Sequence, residues 1–186
     1  ASRIGAVRGD LVGIDILETG AGRAIDELVV SLPDAELVPL LVKEMQEVEG
    51  VDVEDIRPVE GELPDARVAA LESAAELLTQ SDSLAVCVML VDHMTRDFEA
   101  EWATVVRDGH LIATNGPNPT TDWVIAFVAG SVEAGAAEVG PDDVAWAPLE
   151  DHGGALVIGR EGRPFRARER RQLNALARIV GWRLSA

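Results

Sequence analysis

Tyrosine is absent from this chain, lysine and cysteine occur once each, and no apolar run is long enough to cross a bilayer. The single cysteine, Cys87, excludes an internal disulfide. Its place in the run LAVCVMLV reads as a small buried core residue rather than a nucleophile, and the expected setting is a reducing cytoplasm. No signal-peptide pattern opens the chain, and no membrane partner is expected. Ala1 rather than Met stands first, which predicts a processed, trimmed or engineered start. The three histidines, His93, His110 and His152, stand in no HxxH, HExxH or CxxC setting, so no metal or other cofactor is expected. Serine never appears in a G-x-S-x-G context, and no nucleophile, base and oxyanion donor can be assembled; the reading is that the chain is not an enzyme. Positive charge is also scarce. Sixteen basic residues face 33 acidic ones, and a net charge of −17 repels polyphosphate, which excludes nucleic-acid binding through the general surface.

What is present is an ordinary globular balance over 186 residues, 47 % apolar and 26 % charged, enough for one or two cores. The charge is unevenly spread. Residues 1–60 carry 5 basic and 14 acidic residues, a balance of −9; residues 61–150 carry 3 and 16, a balance of −13; residues 151–186 carry 8 and 3, a balance of +5. The basic C-terminal segment is expected to sit against the acidic remainder of the same chain or of a partner subunit.

A boundary falls near Glu60-Gly61-Glu62-Leu63-Pro64, where Gly, Pro and acids make linker chemistry. The first domain, residues 1–60, reads as helix, strand, glycine turn, strand, helix, strand. In LVGIDIL, Val12, Ile14 and Ile16 alternate with Gly13 and Asp15 as a half-buried strand should. Gly20 and Gly22 mark the turn, and Leu28, Val30 and Leu32 share a face of the next strand. Gly20-Ala21-Gly22 lacks the third glycine and the strand-to-helix context of a dinucleotide loop. Leu37, Leu41, Met45 and Val48 recur at helical spacing, Gly50 ends that helix, and Val51 and Val53 begin a last strand.

The second domain, residues 61–186, reads as helix, strand, hairpin, helix, hairpin, helix: an α+β unit with a mostly antiparallel sheet. Val68, Leu71, Ala75 and Leu78 form the stripe of its first helix. The continuous run LAVCVMLV reads as a central strand covered on both faces, with Asp92-His93 at its end. Asp108-Gly109 between two apolar runs signals a hairpin. NGPNPTT, from Asn115 to Thr121, is a loop whose threonines can cap the next helix. In the closing helix Leu173, Leu176, Ala177, Val180 and Leu184 line one face and the arginines the other.

Four residues are candidates for binding a ligand. His93, beside Asp92, reads as a strand-end polar anchor, a ligand contact or a base. Asn115 opens the NGPNPTT loop. Trp102 and Trp123 flank that loop and the hairpin, where an indole can line a pocket. Trp146 and Trp182 read as core, and His110 and His152 as solvated. The arginines Arg160, Arg163, Arg166, Arg168, Arg170, Arg171, Arg178 and Arg183 read as a solvated or acid-paired face rather than an anion site.

The run GAVRGDLVGIDI, the turn ETGAG, the strand AIDELVVSLPD, the helix ELVPLLVKEMQEV and GVDVEDIRPV resemble an ACT domain over residues 1–60. The family's first strand and the turn after it have no counterpart, so the implied fold is an incomplete ferredoxin-like sandwich. The ending GGALVIGREGRPFRARERRQLNALARIVGWRL resembles the last strand and closing helix of a GAF domain, with Phe165, Glu169, Leu173, Leu176 and Ala177 on the family's pattern. The two resemblances imply a non-enzymatic regulatory or signalling protein that binds a small molecule, an amino acid among the candidates, and that forms a homodimer. A pure interaction module without ligand, and a regulatory piece of a larger enzyme, are the alternatives.

Overall fold

The computed structural model describes residues 2–59, 65–134, 140–149 and 153–185. It divides into two compact units, Ala1–Leu63 and Pro64–Ala186. His152 and the linker over residues 60–64 lie outside the described residues.

Unit one opens with a short helix, α1 (Ser2–Ala6), followed by strands β1 (Asp10–Gly20) and β2 (Arg23–Ser31). These pair antiparallel, with register shifts after Leu11 and Ile16. The turn between them places Ala21 at φ 49° and Gly22 at φ 77°. Two successive left-handed residues match the twist of a tight hairpin, and the first of them is Ala21, not Gly20. A single 3₁₀ turn (Ala35–Leu37), capped by the Asp34 carboxylate on Glu36 N at 2.9 Å, leads into α2 (Val38–Gln46). The strand expected over residues 51–59 does not form, and the sheet has two strands. The alternation in β1 is real but its phase is reversed. Val12, Ile14 and Ile16 face solvent, while Leu11, Gly13, Asp15 and Leu17 are half-buried. Among the described residues, the apolar side chains fully buried in this unit are Ile4 and Val7, both in or next to α1.

Unit two begins with α3 (Ala66–Thr79) and α4 (Ser83–Asp97). Helix α4 replaces the central strand expected at LAVCVMLV. Val86, Cys87, Leu90, Val91 and Met94 are buried while Leu84 and Val88 are exposed, a spacing of one and four residues that only a helix produces. Asp82 starts it by accepting from Ala85 N at 2.7 Å. Helix α3 is where expected, capped by Asp65 on Arg67 N at 2.8 Å, but it is rotated. Ser73, Ala74 and Leu77 are buried, whereas Val68, Leu71, Ala75 and Leu78 are exposed.

Four strands follow: β3 (Trp102–Arg107), β4 (His110–Asn115), then helix α5 (Thr121–Ala134), β5 (Val144–Leu149), β6 (Gly154–Gly159) and the closing helix α6 (Ala167–Ser185). The sheet runs β4-β3-β6-β5, antiparallel throughout. The β3–β4 turn has Asp108 at φ 51° and Gly109 at φ 71°, the two left-handed positions that an Asp-Gly pair supplies at least strain. Alternate residues of each strand go to opposite faces. Ala103, Val105, Ala145, Ala147, Leu156 and Ile158 pack with α3, α4 and α6; Trp102, Val106, Val144, Trp146, Ala155 and Val157 pack with α5. Both faces are covered, which explains why these strands read as nearly continuous apolar runs.

Candidate functional site

The four sequence candidates fall on opposite faces of the unit-two sheet. Trp102 and Trp123 meet under α5. Their ring centroids are 6.4 Å apart at 85°, an edge-to-face contact, and Trp123 stacks on Phe127 at 5.3 Å and 6°. Trp123 and Phe127 are four residues apart on α5, the helical spacing that brings side chains together. Trp102 has its place because residue 159 is glycine: a Cβ on Gly159 would overlap the Trp102 indole. Trp146 completes this aromatic layer from β5. It is 6 % exposed, and its Nε1–H has no acceptor among the described residues. A buried indole donor ordinarily finds a partner, and leaving one unpaired costs about 1–3 kcal/mol. Another polar group of the sheet is accounted for, since the buried Thr104 hydroxyl donates to the Ala113 carbonyl at 3.1 Å.

His93 and Asn115 belong to the other face, around α4. His93 is not at a strand end. It is buried on α4, its Nε2 3.1 Å from Glu76 Oε2 on α3, and its Nδ1 is buried with no partner among the described residues. Asn115 is the last residue of β4 rather than a loop residue, and its Nδ2 donates to Asp92 Oδ1 at 2.9 Å and to Thr95 Oγ1 at 3.1 Å, tying the strand to the helix. Next to them the buried Ser73 hydroxyl donates to Asp97, whose carboxylate also receives Arg96 Nε at 2.8 Å. The Asp97 hydrogen bond holds the Arg96 guanidinium above its ordinary pKa. A shallow groove of about 430 Å³ runs along α4 past Gln80, Val88, Met89, Asp92, His93 and Arg96.

Burial pushes the Cys87 thiol above its ordinary pKa, outweighing the opposing effect of Arg107, so it stays a neutral core group. Of the arginines read as a solvated or paired face, Arg160 is buried against Glu169, Arg163 pairs with Glu99, and Arg183 donates to the Gln80 carbonyl. His110 is exposed, with Nδ1 2.8 Å from the Asp108 carbonyl. Trp182, read as core, is exposed. Sequence reasoning missed Ser73 and Glu76 on α3 and Asp97 at the end of α4; the signal was their helical spacing once residues 83–97 are read as a helix.

The ending that resembled a GAF domain packs as that pattern requires. Phe165, Leu173, Leu176 and Ala177 are buried, and the Glu169 carboxylate accepts from Arg166 N at 2.9 Å at the start of α6. No family model and no curated protein matches the chain. Among solved structures, the GAF domain of a phosphoenolpyruvate-protein phosphotransferase (ptsP) from Coxiella burnetii aligns over 65 % of this chain and 93 % of its own, with TM-score 0.50 and 16 % identity. Unit two has a GAF-like fold. A second GAF domain, from an Acinetobacter phosphoenolpyruvate-protein phosphotransferase, aligns over 66 % of this chain and 95 % of its own at TM-score 0.48 and 11 % identity. No helix among the described residues is long and apolar enough to cross a membrane. The run read as an ACT domain forms α1, the hairpin and α2 without the last strand, and no comparison bears the ACT reading out.

Proposed function

We propose that this chain is a non-enzymatic regulatory protein whose GAF-like unit senses a small molecule between its sheet and α5. The observation that carries the reading is Trp146 Nε1, a buried donor without an acceptor among the described residues, inside an aromatic layer built from Trp102, Trp123 and Phe127. A ligand suited to that place has a flat apolar body for the rings and one acceptor atom for the indole. Amino acids, which the ACT resemblance of unit one implies, are the first class to try, and purine nucleotides the second.

The test is calorimetry and thermal shift of the full chain against both classes, repeated with Trp146→Phe. Binding by the native chain, weakened about tenfold or more by the loss of that one donor, supports the reading. Binding unaffected by Trp146→Phe, or none to either class, refutes it and favours an interaction module. That second reading draws on the exposed apolar side chains Val12, Ile14 and Ile16 of β1.

A further inference from the structure

Along α4, Ala85, Val88, Met89, Asp92 and Arg96 recur every three or four residues and share one stripe, apolar toward its start and charged toward its end. With Gln80, the extended residue that follows α3, this stripe lines the groove of about 430 Å³, a volume that small ligands fill. His93 lines it too, with a side chain only 6 % exposed. The Glu76 carboxylate, which can only accept, lies 3.1 Å from His93 Nε2, so the proton of the neutral ring is assigned to Nε2 and Nδ1 is a bare acceptor. That Nδ1 is buried and has no donor among the described residues, a condition that a folded protein rarely leaves unanswered. Asp92 and Arg96 are one turn apart, yet each is held by a different neighbour. Asp92 Oδ1 accepts from Asn115 Nδ2 at 2.9 Å, while Arg96 donates from Nε to Asp97 at 2.8 Å and from Nη2 to Ser73 Oγ at 3.1 Å. The groove thus keeps an anion and a cation side by side, both fixed by other contacts. Each has capacity left, since a carboxylate offers about four lone-pair sites and a guanidinium five donors.

We propose that this groove binds a free α-amino acid with an apolar side chain. Its ammonium group donates to His93 Nδ1 and to the Asp92 carboxylate, and its carboxylate accepts from the Arg96 guanidinium. Its side chain lies over Ala85, Val88 and Met89, the apolar part of the stripe. Simpler ligands answer only half of the groove. A fatty acid brings no donor for His93 Nδ1 and Asp92, and an alkyl amine brings no acceptor for Arg96. The zwitterion supplies both, and with no net charge it is not repelled by a chain of net charge −17. The site is on the opposite face of the sheet from the α5 layer and shares no residue with it, so the two readings stand or fall separately.

The experiment is calorimetry of the full chain with L-leucine, 4-methylpentanoate and 3-methylbutylamine, which differ in carrying both charged groups or only one. Saturable binding of L-leucine is expected, with each of the other two weaker by about tenfold or more. Asp92→Asn keeps an oxygen for Asn115 but removes the charge, and should weaken L-leucine by a similar factor. His93→Phe keeps a ring without the acceptor and should do the same; if it fails to fold, Asp92→Asn alone decides the matter. Trp146→Phe should leave this binding unchanged. No binding of L-leucine overturns the proposal, as does either analogue binding as tightly as L-leucine. So does affinity that survives Asp92→Asn but is lost in Trp146→Phe, which would move the ligand to the α5 layer.

Discussion

Replacing Arg160 by methionine tests whether one buried arginine holds the closing helix of unit two. The side chain is 6 % exposed and every arm of its fork is used. Nη1 donates to the Phe98 carbonyl at 2.7 Å, Nη2 to the Pro164 carbonyl at 3.0 Å and to Glu169 Oε2 at 2.9 Å, and Nε to the Arg163 carbonyl at 3.1 Å. The guanidinium also lies 4.0 Å above the centre of the Phe165 ring. Burial pulls its pKa below the ordinary arginine range, the Glu169 carboxylate pushes back, and at neutral pH it keeps its charge. Methionine fills much of the volume but leaves a partly buried carboxylate and three carbonyls without their donor. Removing one partner of a buried pair costs about 3–5 kcal/mol. Glu169 retains the backbone N–H of Arg166, which argues for the lower end, about 3 kcal/mol. For a unit of this size that is a fall in Tm of roughly 10–15 °C. Arg160→Lys keeps the charge but cannot reproduce the fork and should lose about half as much. Tryptophan fluorescence during urea unfolding is the assay, because Trp102, Trp123, Trp146 and Trp182 all belong to unit two. An Arg160→Met protein within about 1 kcal/mol of the native one, or a double-mutant cycle with Glu169→Gln that shows no coupling, would refute the argument.

Two further outcomes follow from single positions. Gly116 sits at φ +79° with a would-be Cβ overlapping the Glu101 carbonyl oxygen; Gly116→Ala should therefore cost about 3 kcal/mol or more, read as a fall in urea midpoint, and a neutral result would mean the loop can shift. The Cys87 thiol has its pKa raised by burial, so the folded state favours the neutral form. Its contribution is complete below the ordinary thiol range and declines as pH rises through and beyond it, where unfolding releases a proton. Native protein should react with a thiol reagent only at the rate of opening, and rapid labelling at pH 8 would contradict the burial.

The elements legible in the sequence were those whose pattern is local. Asp108-Gly109 predicts its turn because two adjacent left-handed positions need those residue types wherever they occur. The stripe of α6 was legible because Leu173, Leu176, Ala177 and Val180 all face the same core. The candidate site was half legible. Trp102 and Trp123 do meet, but nothing local says that Trp146 comes to the same layer from β5, since that contact depends on strand order. His93 was placed on the wrong kind of element because LAVCVMLV is apolar at every position, which hides its period; only the Asp82 cap pointed to a helix.

By itself the sequence determined the α+β class, the antiparallel hairpins and the buried face of α6, because turns and one-sided stripes are read from neighbours along the chain. Tertiary structure alone decided which side of α3 and of β1 would be buried, that residues 51–59 would find no strand partner, and that Arg160 would meet its acid partner in the interior. Those outcomes depend on what another element, distant in sequence, offers across the gap: a sheet face to cover, an edge to bond, or a carboxylate and three carbonyls to satisfy five N–H donors.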